Sequence, residues 1–324
     1  MAGGSVMKRY KSMTTLVEDY LVARRALGVK LTVEGRQLCN FAQFADEVAH
    51  GGHLTVDLAL RWACSSKRSS QVGQARRLEV IRPFARYLSA IDPRTEIPPK
   101  GILGSGHPRI PPKIYSDCEV RDLLAAAAQL KPEGGLRPKT IHTYLSLLVC
   151  TGMRPGEPLR LTNTDVNLKV DTITVRETKF RKSRIVTLHP SATEALLAYV
   201  RFRDSLAPNP KSPAFFLVDG GTALTSTKLC TAFDRLRREL GWVTKSKGRT
   251  PRLYDFRHAF VCRRLLLWYA QKVDVHNVMP ALSTYLGHVK VTDTYWYLTG
   301  IPELMELASS RFERFAIPEK GELI

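Results

Sequence analysis

The sequence predicts a mainly α-helical chain with a small antiparallel β-sheet, laid out as two domains and a linker. Three observations predict this. Apolar residues recur at helical spacing along most of the chain, in runs that open at Ser or Thr and stop at Gly. Two short stretches, 172–175 and 184–188, alternate in polarity around a turn. Between them and the first helices, residues 92–112 hold six prolines and three glycines, a composition that resists helix and sheet alike. The expected division is therefore 1–91, a linker at 92–113, and 114–324.

In the first domain, Leu16, Tyr20, Leu21, Ala23 and Leu27 suit one helical face over 12–27, stopped by Gly28. Thr32 is expected to cap a second helix, with Val33, Leu38, Phe41, Phe44 and Val48 buried and Gly51-Gly52 as its end. Thr55 opens a third through Leu58, Leu60 and Trp62, and a fourth covers 70–88. Four short helices so close together make a compact bundle. The segment SSKRSSQVGQARR (65–77) is expected to begin the fourth helix. Its Lys67, Arg68, Arg76 and Arg77, set among small polar residues, suit phosphate contact, with an ordinary charged helix face as the alternative. The linker is expected to span a gap between the domains.

In the second domain, Ser116 and Glu119 have the spacing of a capping box, opening a helix through Leu130. A helix over 138–151 follows, then the two strands around TKFRKS. Further helices are expected at 191–205, 225–240, 253–270 and 276–286, and a short one at 291–298.

The formal net charge is +19. It is spread evenly, with 18 Lys and Arg against 9 Asp and Glu in residues 1–113 and 31 against 21 in the rest. Two basic halves, rather than one basic tail, point to a polyanion such as DNA gripped by both domains. The alternative is a basic surface kept for solubility. The six cysteines are scattered and none forms C-x-x-C, so neither a zinc site nor a disulfide framework is expected. His50 and His53, in HGGH, are read as a polar loop rather than a metal pair. No apolar stretch approaches the ~18 residues of a membrane span, so a cytoplasmic protein is expected.

Four places carry candidate chemistry. In TGMRPGEPL (151–159), Gly152 ends a helix and Pro155 is expected to begin the next, which holds Arg154 on a fixed turn. Such an arginine suits bidentate phosphate binding, and Glu157 suits holding it; a purely structural Arg–Glu pair remains the alternative. Lys179 stands in the hairpin turn, with Arg181 and Lys182 as close competitors and a solvated lysine as the plain reading. In PRLYDFRHAF (251–260), Tyr254 and Arg257 are three apart, on one expected helix face, while His258 is expected to point elsewhere and be structural. In TYLGHVKVTDTYWYL (284–298), a Leu-Gly-His turn precedes Tyr295, Trp296 and Tyr297. Tyr295 and Tyr297 are ~200° apart on a helix, so one of them at most faces a given site.

Arg, Lys, Tyr-x-x-Arg, His and Tyr, in that order, resemble the tyrosine recombinase (phage integrase) family. TGMRPGE, FRHAF and LGH with a tyrosine nine residues later are the specific pieces, and the likeness covers nearly the whole chain. It implies a helical, SAM-like core-binding domain followed by a catalytic domain of the DNA breaking-rejoining enzyme fold. It implies Arg154 and Arg257 as the catalytic arginines, Lys179 as the hairpin lysine, His288 as the last histidine, Tyr297 as the nucleophile and Glu157 as the supporting acid. Two positions depart from the pattern. Tyr254 stands where the family usually has histidine, and Pro158 replaces the usual helix former.

The implied reaction is site-specific recombination of double-stranded DNA through a 3′-phosphotyrosyl link. The guanidiniums would clamp the phosphate, and Lys179 would protonate the leaving 5′-oxygen. Bond energy is kept in the link, so no cofactor is implied, and the sequence carries neither a P-loop nor a carboxylate cluster suited to Mg²⁺. The resemblance further implies a homo-tetramer on paired sites, and integration, transposition or resolution of a mobile element. A type IB topoisomerase and a non-catalytic DNA-binding helper on the same fold are the rival readings.

Overall fold

The computed structural model describes residues 11–48, 53–66, 69–108, 113–176, 183–242 and 250–299. The chain divides into two compact units, 1–110 and 111–324.

The first unit is a four-helix assembly: α1 (Met13–Ala26), α2 (Thr32–Glu47), α3 (Val56–Cys64) and α4 (Gln71–Ser89). Phe41, Leu54, Leu58, Ile81 and Phe84 are fully buried at its centre. Side-chain caps open three of the helices: Ser12 accepts from Thr15 N, Thr55 from Leu58 N and Ser70 from Gly73 N. Thr32 is the first residue of α2 rather than its cap. Leu31, in a left-handed conformation (φ 42°), takes the cap position without a side-chain bond. In the basic segment 65–77 the fourth helix starts where expected, with Ser70 as its cap.

The proline-rich stretch, as far as residue 108, is not a free spacer. Glu96 N donates to Leu54 O, and the Glu96 carboxylate accepts from Val56 N. The α4 arginines take carbonyls from it: Arg82 bonds Pro98 O, and Arg76 Nε donates to Gly106 O at 2.6 Å. A segment with no ladder partners leaves its carbonyls unpaired, and long cationic side chains on the adjacent helix satisfy them.

The second unit begins with α5 (Asp117–Ala128), whose Ser116–Glu119 capping box is complete, and α6 (Leu136–Thr151). Pro158–Arg160 forms a 3₁₀ turn with proline at its start, where a missing N–H costs little. Strands β1 (Val166–Asn167), β2 (Thr172–Val175) and β3 (Arg184–Thr187) make an antiparallel sheet in that order, with Ile173 opposite Val186 in the core. Then come α7 (Pro190–Leu206), a small hairpin of β4 (Leu217–Val218) and β5 (Thr222–Ala223), and α8 (Ser226–Glu239). α9 (Asp255–Ala270), α10 (Val275–Leu286) and α11 (Thr292–Thr299) close the described part. α6 is buried along most of its length, and the core gathers on it through Tyr144, Tyr199, Phe215 and Phe216. Val261, Leu265, Met279 and Leu286 form a further cluster that seats α11 through Tyr297. No helix among the described residues is long and apolar enough to cross a membrane.

Candidate active site

Two helix ends frame the site. α6 stops at Gly152 (φ 61°, ψ 21°) and α10 at Gly287 (φ 68°, ψ 41°), both left-handed. A Cβ at Gly152 would also sit 2.4 Å from Phe260 Cδ1, so glycine is required twice over. The last carbonyls of a helix have no partner within it and carry partial negative charge. Here arginines take them. Arg184 Nε donates to Tyr285 O at 2.8 Å, Arg257 Nη2 to Leu286 O at 2.6 Å, and Arg154 Nη2 to Gly287 O at 3.2 Å. Arg257 Nη1 also donates to Gly152 O at 3.0 Å. Three guanidiniums thus grip three successive carbonyls directly before His288.

Glu157 ties this group together. Its side chain is only 2% exposed. It accepts from Arg154 N at 2.8 Å and Arg154 Nη1 at 3.0 Å, and from Arg184 Nη1 and Nη2 at 2.9 and 2.7 Å. Burial works against its charge, but the bonds and charge of Arg184, then of Arg154, hold its carboxyl below the usual range. The Tyr144 hydroxyl donates to Pro155 O and steadies the turn from inside. Pro155 itself lies in the turn, and the helical residues begin only at Pro158. Burial and the Arg154 charge lower Arg257 to about 10, which still leaves it a cation at neutral pH. One carboxylate among three guanidiniums leaves an electropositive cluster suited to an anion.

Tyr297, on α11, is 3% exposed. Its ring lies 5.3 Å from that of His258, tilted by 48°, and 6.5 Å from that of His288, nearly parallel at 6°. Burial pushes its phenol well above the ordinary range, and the Arg257 guanidinium against it partly offsets this. His288 Nδ1 is hydrogen-bonded to the Thr294 hydroxyl at 2.7 Å. Tyr295 lies instead 6.1 Å from the ring of His276, as the helical rotation between the two tyrosines requires.

Both imidazoles are held down to about 4. For His288 the cause is burial, then the charges of Arg257 and Arg154; for His258 it is burial, then Arg252, Arg257 and His288. An unfolded histidine titrates near 6.5, so between about pH 6.5 and 4 the unfolded chain binds protons that the fold refuses. Stability from these two groups is complete above pH 6.5 and is lost as pH falls through 4. Urea unfolding from pH 7 to 5 should show a falling midpoint, and the fall should shrink in His288→Asn. An unchanged fall would show that His288 is not the source.

Several expected residues meet here: Arg154, Glu157, Arg257, His288 and Tyr297. Tyr254 also bears on Arg257 and Tyr297, from a more open position. It is the residue before α9, 37% exposed, whereas Arg257 is fully buried. His258 does not point away; its ring lies 5.1 Å from that of Tyr254 and also faces Tyr297. Lys179, Arg181 and Lys182, and likewise Lys67 and Arg68, lie outside the described residues. In the first unit, Arg77 lies over Trp62, 4.2 Å from its ring centroid, and bonds Ser65, so both it and Arg76 already have partners within the protein. Sequence reasoning missed Arg184, His258 and Thr294. Arg184 was visible only as one more cation in a basic hairpin.

Comparison with known proteins places the chain in a wider set. The phage integrase family model matches residues 115–300. The Sinorhizobium fredii protein y4rB, named as an integrase/recombinase, is 40% identical over 302 residues, covering 92% of this chain and 96% of that one. The tyrosine recombinase XerD of Bradyrhizobium diazoefficiens is 24% identical over 310 residues, 91% of this chain and 93% of its own. Among solved structures, the Tn1549 transposon integrase in complex with transposon right end DNA has a TM-score of 0.69 at 16% identity, covering 95% of this chain and all of that one. XerH site-specific recombinase bound to palindromic difH substrate gives 0.62 at 17% identity, over 93% and 85%. At these identities the structural likeness concerns the fold.

Proposed function

The chain belongs to the phage integrase family and is a tyrosine site-specific recombinase, and from that premise we propose that Tyr297 cleaves and rejoins DNA through a 3′-phosphotyrosyl intermediate. The observation that carries the proposal is the arginine-gripped turn ending at His288, with Tyr297 packed against Arg257 and His288.

In the proposed step, Tyr297 Oη attacks phosphorus and the bond to the 5′-oxygen breaks. Arg154, the more exposed of the two catalytic arginines, meets a non-bridging oxygen first. Arg257 adds charge from beneath, and His288 adds a neutral N–H donor. These donors stabilise the extra negative charge of the pentacoordinate transition state, and each typically contributes about 10²–10³ in rate. Lys179, between β2 and β3 in the sequence, protonates the departing 5′-oxygen. A 5′-hydroxyl from a partner strand reverses the step. Glu157 and Arg184 touch no substrate in this scheme; they hold Arg154 and the 285–287 carbonyls in place. Strand exchange between two duplexes calls for four such sites, hence a homo-tetramer on paired recombination sites. The names of its relatives, an integrase/recombinase and a transposon integrase, support a role on a mobile element.

Topoisomerase-like relaxation uses the same step without exchange. The two are separated by giving the protein a plasmid with two copies of its site, found by sequencing the DNA it retains. Recombinant products are expected. Relaxed topoisomers alone would overturn the reading. Binding should also weaken steeply with salt. For 6–10 phosphate contacts, affinity should fall by about 10³–10⁵ between 50 and 200 mM. A salt-independent affinity would contradict a clamp on the DNA backbone.

A further inference from the structure

Attack by Tyr297 releases a phenolic proton, and the site has to take it. Tyr297 is enclosed, so bulk water does not reach it directly. Arg257, Tyr254 and Cys262 bear on its phenol, and the rings of His258 and His288 lie beside it. A guanidinium has no acceptor. His288 faces Arg257, Arg154 and Arg184, partly offset by Asp293, and His258 is held down to the same degree, so charge alone does not choose between the two imidazoles. The Nδ1 of His288, however, is taken by Thr294. His258 is nearer to Tyr297. Of the arginines that bear on it, Arg252 is paired with Asp255 at 3.2 Å. On its other side stands the half-exposed Tyr254. The rings of Tyr297, His258 and Tyr254 therefore form a series, with neighbouring centroids 5.3 and 5.1 Å apart, running from the buried phenol to solvent.

We propose that His258 accepts the Tyr297 proton as the tyrosine attacks, and that Tyr254 carries it out to solvent. This rests on Tyr297 being the nucleophile. The balance is complete: the Oη–P bond forms, the P–O5′ bond breaks, the phenolic proton moves to a ring nitrogen of His258, and the 5′-oxygen takes its proton from Lys179. On rejoining, a proton comes back from solvent through Tyr254 to His258, which passes it to the departing phenolate. A neutral imidazole has one ring nitrogen able to accept, and His258 is neutral without DNA. The bound phosphodiester offsets the charge of Arg257, so the imidazole becomes more basic when the substrate arrives.

The test compares two nucleophiles. His258→Gln and Tyr254→Phe are each made with tyrosine at 297 and with difluorotyrosine there, whose phenol ionises more readily and depends less on a base. Adduct formation is followed on a nicked substrate. With tyrosine at 297, His258→Gln should slow the adduct by about 10²-fold, the usual worth of a positioned base, and Tyr254→Phe by roughly tenfold. With difluorotyrosine, both losses should fall well below these values. Equal losses with both phenols would show that His258 only packs the site, and no loss would remove it from the reaction. Tyr254 is at the surface, so Tyr254→Phe decides the matter even if His258→Gln does not fold; unslowed adduct formation in it would overturn the relay. Failure of the nucleophile assignment is recognised separately, as an adduct that survives Tyr297→Phe.

Discussion

Tyr297→Phe should bind its DNA site with unchanged affinity and form no covalent adduct on a nicked substrate that traps the cleaved state. The phenol is the one group lost, and no neighbour can replace it. Tyr295 is turned by ~200° on the same helix and lies by His276 rather than by the arginines. Phenylalanine fills the same space between His258 and His288, so folding and binding should persist. A trace of adduct in Tyr297→Phe, at a rate near that of the native protein, would move the nucleophile elsewhere. Tyr295→Phe should retain near-native adduct formation, because that side chain contributes only packing.

Glu157→Ala should have the second large effect, on stability and on activity together. Glu157 is buried, and among the described residues it is the one carboxylate that binds both Arg154 and Arg184. Removing one partner of a buried ion pair typically costs about 3–5 kcal/mol, because the other charge stays buried without compensation. Urea unfolding should show a loss of this size. Adduct formation should fall by about 10²–10³, the usual worth of one preorganised donor, since Arg154 loses both its backbone and side-chain tether. Adding Arg184→Met to Glu157→Ala should recover part of the stability, because one stranded cation is removed with its partner, and should not recover activity. A double variant no more stable than Glu157→Ala would mean that the Glu157–Arg184 pair is not what the carboxylate stabilises. The pH sense also follows. The folded Glu157 carboxyl titrates below its unfolded value of about 4.3, so its contribution is full above that value and is lost as pH falls through the lower folded one.

Much of this site was legible in the sequence, for identifiable reasons. Gly152 and Gly287 each end an apolar helical run, and a left-handed residue at a helix end leaves that mark. The step from His288 to Tyr297 is local, and helix rotation distinguishes Tyr297 from Tyr295. The Ser116–Glu119 box was readable because both bonds lie within four residues. What could not be read depends on distance along the chain. Arg184 meets a carboxylate 27 positions away and a carbonyl 101 positions away, and a cation's type does not announce its partner. His258 was misplaced because its neighbour Tyr297 belongs to another helix. The bonds that the linker makes to α4 were not readable, because proline content forbids regular structure but says nothing about who takes the carbonyls. β4 and β5, two residues each, are too short to carry any periodicity.

The account stands or falls on where the DNA becomes attached. The trapped covalent complex should be digested with protease and nuclease, and the linked peptide sequenced by mass spectrometry. The account predicts a nucleotide joined through its 3′-phosphate to Tyr297, with a free 5′-hydroxyl on the released strand. Attachment at Tyr295, at a residue other than tyrosine, or through a 5′-phosphate would contradict it.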